Sequence, residues 1–321
     1  MSNCLIIGSG SIGERHAKNL IKFFEKNVFV VSRFPEKKFR DEFLNLSDKA
    51  IKISIDQLND VSTFELLIFA TPSSIRSINL DLYPKLKVKF IYTEVPAAVS
   101  FLEWNKLKEF SLRIGARIFS GYNMRFHPGL IQLKKLSSDQ FISLRGIFGE
   151  YLPDLHKWED YRTRYEAIKT LGGGPLLTSH HEIDLAIWLM GKVESVACIM
   201  RNTILKIDAN DHAIVSLFHE NGSISNLDLN FFYKKYVRSI EIATSKEIIT
   251  YEPFHDGLKI GEKEIISFKN YDFNKTYIAS IKEALSGECS KSPTIEEIDH
   301  LMRVTNACLK SNDNNGKIIK V

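Results

Sequence analysis

The chain has 321 residues, 44% hydrophobic and 26% charged, a length that suits two domains and a composition ordinary for a folded globular protein. Its 43 basic and 39 acidic residues are spread along the whole chain without a basic run or arm, which argues against nucleic acid as a partner. Nothing approaches the roughly 20 apolar residues of a membrane span, and the opening Met1-Ser2-Asn3-Cys4-Leu5-Ile6-Ile7-Gly8 has no basic start, long apolar stretch or small-residue cleavage site. Four cysteines (Cys4, Cys198, Cys289, Cys308) stand far apart without CxxC spacing, as free thiols of a reducing compartment do, so a cytoplasmic protein is expected.

The first 120 or so residues alternate strand-like runs with helical patterns. Cys4 to Ile7 is an apolar run ending in glycines, as a buried parallel strand should. From Ser11 to about Lys26, Ile12, Ala17, Leu20, Ile21 and Phe24 recur at helical spacing. Val28 to Val31, Glu65 to Ala70, Phe90 to Tyr92 and Ile114 to Ser120 read as further strands. This alternation predicts a doubly wound parallel sheet, a Rossmann domain over residues 1–122. The texture then changes, and an α/β domain over residues 123–321 is expected. Its predicted elements are a helix from Pro128 to about Leu136, a strand from Ile142 to Gly149, a polar aromatic loop from Glu150 to Lys169 and a helix from about Leu177 to Met190. Strand-like stretches follow: Val193 to Leu205, Asp211 to His219, Ser223 to Asn230, Arg238 to Thr244 and Glu247 to Tyr251. Asn221-Gly222 between two of them is a strong hairpin signal, so this sheet should be mostly antiparallel. Helices from about Asn274 to Leu285 and from Thr294 to about Leu309 close the chain, and the last can pack back on the first domain.

Gly8-Ser9-Gly10-Ser11-Ile12-Gly13 matches GxGxxG between the first strand and the first helix, the context the motif's mechanism demands. One glycine serves the tight turn, one the close approach of a pyrophosphate and one the packing of helix on strand. The start of the helix then offers free N–H groups and a partial positive charge to phosphate. Gly8, Gly10, Ser11, Ile12 and Gly13 are therefore candidate dinucleotide contacts. The second strand ends Val31-Ser32-Arg33, without the acid that usually accepts from an NAD ribose, and Lys37 and Lys38 follow. Ser32 and Arg33 suit a 2′-phosphate, which favours NADP(H) over NAD(H). Ala70-Thr71-Pro72 ends another strand on the same edge, where cofactor contacts and a plain turn are both open readings.

Several segments in order resemble the Gfo/Idh/MocA family of sugar-type oxidoreductases. They are the Gly8 to Gly13 turn, Ala70-Thr71-Pro72, Glu94-Val95-Pro96, Gly121 to Pro128, Gly172-Gly173-Gly174-Pro175-Leu176-Leu177, His181-Glu182-Ile183-Asp184 and Trp188-Leu189-Met190-Gly191. The stretch from Gly149 to Arg162 looks like a subgroup met in bacterial surface-polysaccharide or nonulosonic-acid gene sets. The resemblance implies a nicotinamide cofactor, a sugar or nucleotide-sugar substrate, and association into a homo-dimer or homo-tetramer. It also implies Glu94 and Asn123 beside the cofactor, and proton transfer through the lysine of a Glu-Lys-Pro motif, an Asp and a His.

This chain keeps part of that set. Valine stands at Val95 in place of the lysine, and Thr178 stands where relatives carry Asp. Neither side chain is a useful base at neutral pH, and one lost acid-base group costs about 10²–10⁴-fold in rate. His181 matches the family histidine and is the expected proton carrier. His180 is its neighbour, and Asp184, three residues after His181, suits either orienting an imidazole or local packing. Arg125 and His127 follow a strand end and suit substrate contacts or a structural role. The loop from Tyr151 to Tyr165 offers Trp158, Tyr161 and Arg162 to a sugar, with Thr178 nearby in the glycine-rich segment; Lys157, Tyr161 and Lys169 are candidate replacements for the lysine. No metal is expected, because His180 and His181 have no third ligand at fixed spacing. The expected function is an NAD(P)-dependent sugar oxidoreductase, the alternative a catalytically weakened relative that binds dinucleotide and sugar.

Overall fold

The computed structural model describes residues 2–32, 49–55, 57–58, 63–78, 80, 83, 86–136, 141–155, 157 and 159–321. Arg33, Lys37, Lys38, His156 and Trp158 lie outside the described residues. The chain divides into two compact units, Met1–Asn123 with Asn274–Glu296, and Met124–Phe273 with Glu297–Val321.

In the first unit, β1 (Asn3–Ile7), β2 (Asn27–Val31), β3 (Ala50–Ile53), β4 (Thr63–Phe69), β5 (Lys87–Thr93) and β6 (Arg117–Ser120) form one parallel sheet in the order β3-β2-β1-β4-β5-β6. That is the Rossmann order, and its switch point, where ligands of such sheets bind, lies between β1 and β4. Cys4, Leu5, Ile6, Leu66, Leu67 and Ile68 are fully buried, as both faces of the central strands demand. Helix α1 (Ser11–Phe24) sinks Ala17, Leu20 and Ile21 into this core, and α7 (Asn274–Ser286) adds Ile281 and Ala284 to the same cluster. Thus the segment Asn274–Glu296 builds on the first sheet although it follows the second in sequence. Helix α2 (Phe101–Arg113) escapes the periodicity reading; it buries Trp104, Leu107 and Phe110, and the Ser100 hydroxyl caps it by accepting from the Glu103 N–H at 3.3 Å.

In the second unit, β7 (Phe141–Tyr151), β8 (Val193–Arg201), β9 (His212–His219), β10 (Ile224–Asn230), β11 (Phe232–Thr244), β12 (Ile248–Glu252), β13 (Gly257–Ile260), β14 (Lys263–Ile266) and β15 (Ile319–Lys320) make a second sheet. Its order is β14-β13-β12-β11-β7-β10-β9-β8-β15, antiparallel except where β7 meets β10. The Asn221-Gly222 turn joins β9 to β10, with Gly222 at φ +85°. Helices α3 (Pro128–Leu136), α4 (Leu152–Leu155), α5 (Pro175–Thr178), α6 (His180–Met190) and α8 (Ile295–Asp313) complete the unit. Helix α6 packs on β7 and β10, so Leu144 of β7, Leu227 of β10 and Ile240 and Ile242 of β11 point to the helices and are buried. The opposite face carries the exposed Ile214 and Ile224 and the Arg145–Glu241 pair.

Several boundaries differ from the sequence expectation. The strand read from Ile114 begins at Arg117, because Gly115 at φ +69° turns the chain after α2. The helix read from Leu177 to Met190 is two helices that part at Ser179. The strand read to Leu205 stops at Arg201, where Asp211 gathers the N–H groups of Thr203, Ile204 and Leu205 at 2.7–3.0 Å and folds the chain into a loop. The strand read from Arg238 starts at Phe232 and carries a register shift before Val237. The loop from Glu150 holds the end of β7, α4 and three short 3-10 turns.

Candidate functional site

The glycine turn has three positions with three different surroundings. Gly8 adopts φ +116°, and a Cβ there would lie 2.8 Å from the Ala70 carbonyl oxygen. A Cβ on Gly13 would lie 2.0 Å from the Gly8 carbonyl oxygen. Gly10 has φ −75°, which any residue tolerates, and a Cβ on it would meet nothing within 4 Å. The fold itself therefore requires Gly8 and Gly13, while no described residue comes within 4 Å of a Cβ on Gly10. Gly10 is also the N-cap of α1 and has no side chain to cap it, so the first turn, with Ser11 exposed and Ile12 half-buried, presents its N–H groups outward. These features fit the pyrophosphate of a dinucleotide. Ser32, just past β2, is buried, and its hydroxyl meets that of Ser9 at 2.8 Å, tying the end of β2 to the glycine turn.

Two strand ends complete this edge. Arg76, buried, donates to the Thr71 carbonyl from Nε at 3.0 Å and from Nη2 at 2.8 Å, and its Nη1 reaches the carbonyls of Glu94 and Pro96. One guanidinium thereby locks Ala70-Thr71-Pro72 to Glu94-Val95-Pro96. His16, fully buried on α1, bonds Glu94 through Nε2···Oε1 at 2.5 Å. Its ring packs edge-on against Tyr92 and Tyr277. The phosphate-facing helix and the Glu94 loop are thus one rigid assembly, with Glu94 still partly exposed. Asn123 is buried and donates to the Thr276 hydroxyl at 2.6 Å. Val95 is half-buried and brings no polar atom.

In the second unit the candidate residues separate into two groups. Arg125 is buried and makes a two-toothed pair with Asp184 at 2.6–3.1 Å; its Nη1 reaches Glu297 at 3.3 Å and its guanidinium lies 5.4 Å from the Trp188 ring centroid. Asp184 therefore accepts from Arg125 rather than orienting an imidazole. His127 sits in an aromatic cage of Tyr251, Phe268, Tyr271 and Phe273 and accepts the Gly129 N–H on Nδ1 at 3.2 Å. Burial drives it down to about 3, so it is a neutral core residue. His180 is fully buried, with Nε2 2.6 Å from the Thr305 hydroxyl, which spends its own proton on the Leu301 carbonyl. His180 Nε2 must then donate, and burial likewise takes its pKa down to about 3. Thr178 returns its hydroxyl to the Gly174 carbonyl at 3.0 Å. Tyr161 packs beside the small core of Leu152, Ala167, Leu205 and Phe231, while Arg162 is exposed and paired with Asp160 at 2.8 Å. Lys157 and Lys169 are exposed, the former 3.6 Å from Asp154. Among the described residues no group of three His, Cys, Asp or Glu is arranged to hold a metal, and no helix is long and apolar enough to cross a membrane.

His181 belongs to the second group. Successive helical residues point about 100° apart, so His180 goes to α8 and His181 to the side of Arg238. Burial first, then the Arg238 charge, hold the His181 imidazole well below its ordinary pKa. Arg238, on the helix-facing side of β11, pairs with Glu182, lies 5.4 Å from the Phe148 ring centroid, and touches the Met124 sulfur at 3.5 Å. It was missed from the sequence, although a lone arginine in phase with Ile240 and Ile242 was a usable signal. His16 was missed too; its place one turn after Gly13 was the corresponding hint.

The buried histidines have a measurable consequence. Their native pKa values lie below the unfolded value near 6.5, so the unfolded chain binds more protons between about 6.5 and 3 and stability is lost as pH falls through that window. Each contributes a slope approaching about 1.4 kcal/mol per pH unit. Urea unfolding at pH 7, 6 and 5 should show this loss, and His127→Gln should flatten the slope by about one proton.

A parallel sheet in Rossmann order, followed by a mostly antiparallel sheet, defines a two-unit α/β protein whose first unit has the Rossmann fold. Residues 140–250 match the model of the GFO/IDH/MocA C-terminal domain, and the family resemblance read in the motifs is borne out. The chain is 23% identical over 230 residues to myo-inositol 2-dehydrogenase of Thermotoga maritima, a match covering 70% of this chain and 66% of that protein, just under two thirds of its length. Among solved structures, the WlbA dehydrogenase from Bordetella pertussis, in complex with NADH and UDP-GlcNAcA, superposes with a TM-score of 0.81 at 16% identity, covering 99% of this chain and 98% of that one. GenD2 from gentamicin A biosynthesis, in complex with NAD, gives 0.79 at 18% identity over 100% of this chain and 96% of that one.

Proposed function

We propose that this chain is an oxidoreductase that holds a nicotinamide dinucleotide on its first unit and acts on a hydroxyl or carbonyl carbon of a sugar or nucleotide-sugar, in surface-polysaccharide biosynthesis. The observation that carries the reading is that a Cβ on Gly10 would meet no described residue within 4 Å, in a turn whose Gly8 and Gly13 the fold itself needs. The relatives support it: one is a myo-inositol dehydrogenase, and two similar structures hold NAD or NADH. Ser32, with Arg33 behind it and no acid at the strand end, supports NADP(H) over NAD(H). Homo-oligomers of a cytoplasmic protein remain the expectation drawn from the family resemblance.

The nicotinamide, when bound, supplies the two-electron chemistry. The N–H groups of Ser11, Ile12 and Gly13 would hold the pyrophosphate, and Glu94, positioned by His16, would contact the cofactor. His181, whose imidazole burial and Arg238 hold well below its ordinary pKa, is the proposed hydrogen-bond partner of the sugar. Arg125, paired with Asp184, and Thr305, bonded to His180, tie α6 to its surroundings.

A panel of keto-sugars and nucleotide-keto-sugars with NADPH or NADH, followed at 340 nm, tests the reading. Turnover is expected, with His181→Ala lowering it about 10²-fold or more. If the wild type never oxidises either nucleotide and Val95→Lys creates activity, the weakened-relative alternative, motivated by Val95 and Thr178, replaces it.

A further inference from the structure

On the carboxyl edge of the first sheet, Glu94 is held twice, by its main chain and by its side chain. Its N–H donates to the Phe69 carbonyl at 3.1 Å, and its own carbonyl accepts from Arg76. The side-chain Oε1 meets His16 Nε2 at 2.5 Å, while 13% of the Glu94 side chain stays open to solvent. A carboxylate oxygen accepts, so Nε2 donates. His16 is fully buried, and its Nδ1 meets no donor or acceptor among the described residues. Tyr92 of β5 and Tyr277 of α7 close around the ring edge-on, at centroid distances of 5.5 and 6.0 Å. A buried ring with one orphaned nitrogen costs stability, which an apolar side chain of that size would not. What the histidine supplies in that cage is the bond to Glu94.

The place of Glu94 along the edge says which part of a ligand that bond serves. A sheet of this strand order takes a dinucleotide across its switch point, with the adenosine ribose at the end of β2. Glu94 follows β5, two strands to the other side of β1. It therefore belongs to the half of the edge that takes the nicotinamide nucleotide, and the glycine turn and Ser32 to the half that takes adenosine diphosphate. His16 stands three residues after Gly13 on α1, so the helix that faces the pyrophosphate also holds the carboxylate of the other half.

We propose that His16 is a positioning residue for the nicotinamide half of the cofactor. By holding Glu94 in one orientation it sets how much more tightly the chain binds a whole dinucleotide than its adenosine diphosphate part alone. This rests on the dinucleotide reading above. A carboxylate free to rotate must be ordered when ligand binds, and one already held by a buried donor need not be. Removing the donor therefore weakens the nicotinamide end and leaves the adenosine end as it was.

The test titrates wild type, His16→Leu, His16→Asn and His16→Gln with NADPH and NADH and, separately, with 2′-phospho-ADP and ADP. His16→Leu should weaken the dinucleotides about 10-fold or more and change the two diphosphates by less than about 2-fold. His16→Asn, polar but too short to reach the carboxylate, should do the same and serves where leucine disturbs the core. His16→Gln, whose amide reaches the same oxygen, should restore the wild-type ratio. The fluorescence of bound NADPH or NADH comes from the reduced nicotinamide, so it should shift in the first two variants and return in His16→Gln. Equal weakening of dinucleotides and diphosphates, as a merely structural histidine would give, overturns the proposal alone, and so does unchanged dinucleotide affinity in His16→Leu or His16→Asn. If the wild type holds neither dinucleotide at millimolar concentrations, the functional reading fails first, and this assignment with it.

Discussion

Gly10→Ala should leave the protein folded and weaken its dinucleotide binding. Among the described residues the new methyl meets no atom within 4 Å, and it sits on backbone at φ −75°, so the lost preference for glycine at the N-cap, about 1 kcal/mol or less, is what opposes the fold. The same methyl fills the space a pyrophosphate would enter, and overpacking of about 1–3 kcal/mol there weakens binding by about 5- to 150-fold. Gly13→Ala is the internal contrast. Its methyl would lie 2.0 Å from a backbone oxygen, so helix and strand must part and folding itself suffers, by about 3 kcal/mol or more. Thermal melting with nucleotide titration separates the two variants. Wild-type affinity in Gly10→Ala would mean that the turn is a structural corner and nothing more.

The second large effect is expected at Asp184. Removing its carboxylate by Asp184→Ala leaves the buried Arg125 with Glu297 alone, a half-exposed partner at 3.3 Å. An uncompensated buried charge costs about 3–5 kcal/mol, so the urea midpoint should fall steeply. Arg125→Met in the same chain should restore much of the loss, since it removes the stranded charge. Unchanged stability in Asp184→Ala, with turnover lost, would return this residue to the catalytic machinery.

The first unit was legible because its signals are local. Apolar runs buried on both faces, each ended by a turn, announce parallel strands, and the glycine spacing announces the phosphate turn. The Asn221-Gly222 hairpin was legible for the same reason. Less visible was whatever depends on partners distant in sequence. The sequence around Arg125, His127 and His180 does not show what holds them; Asp184, the aromatic cage and Thr305 do, and they come from 59, up to 146 and 125 residues further on. The Glu94 carboxylate was expected from the family resemblance, but its anchor, His16, shows only once α1 is laid against β5.

The account stands or falls on the nucleotide. Isothermal titration of the purified chain with NADPH and with NADH should give saturable one-site binding at micromolar concentrations to at least one of them. Heats no larger than dilution at millimolar concentrations of both would contradict it.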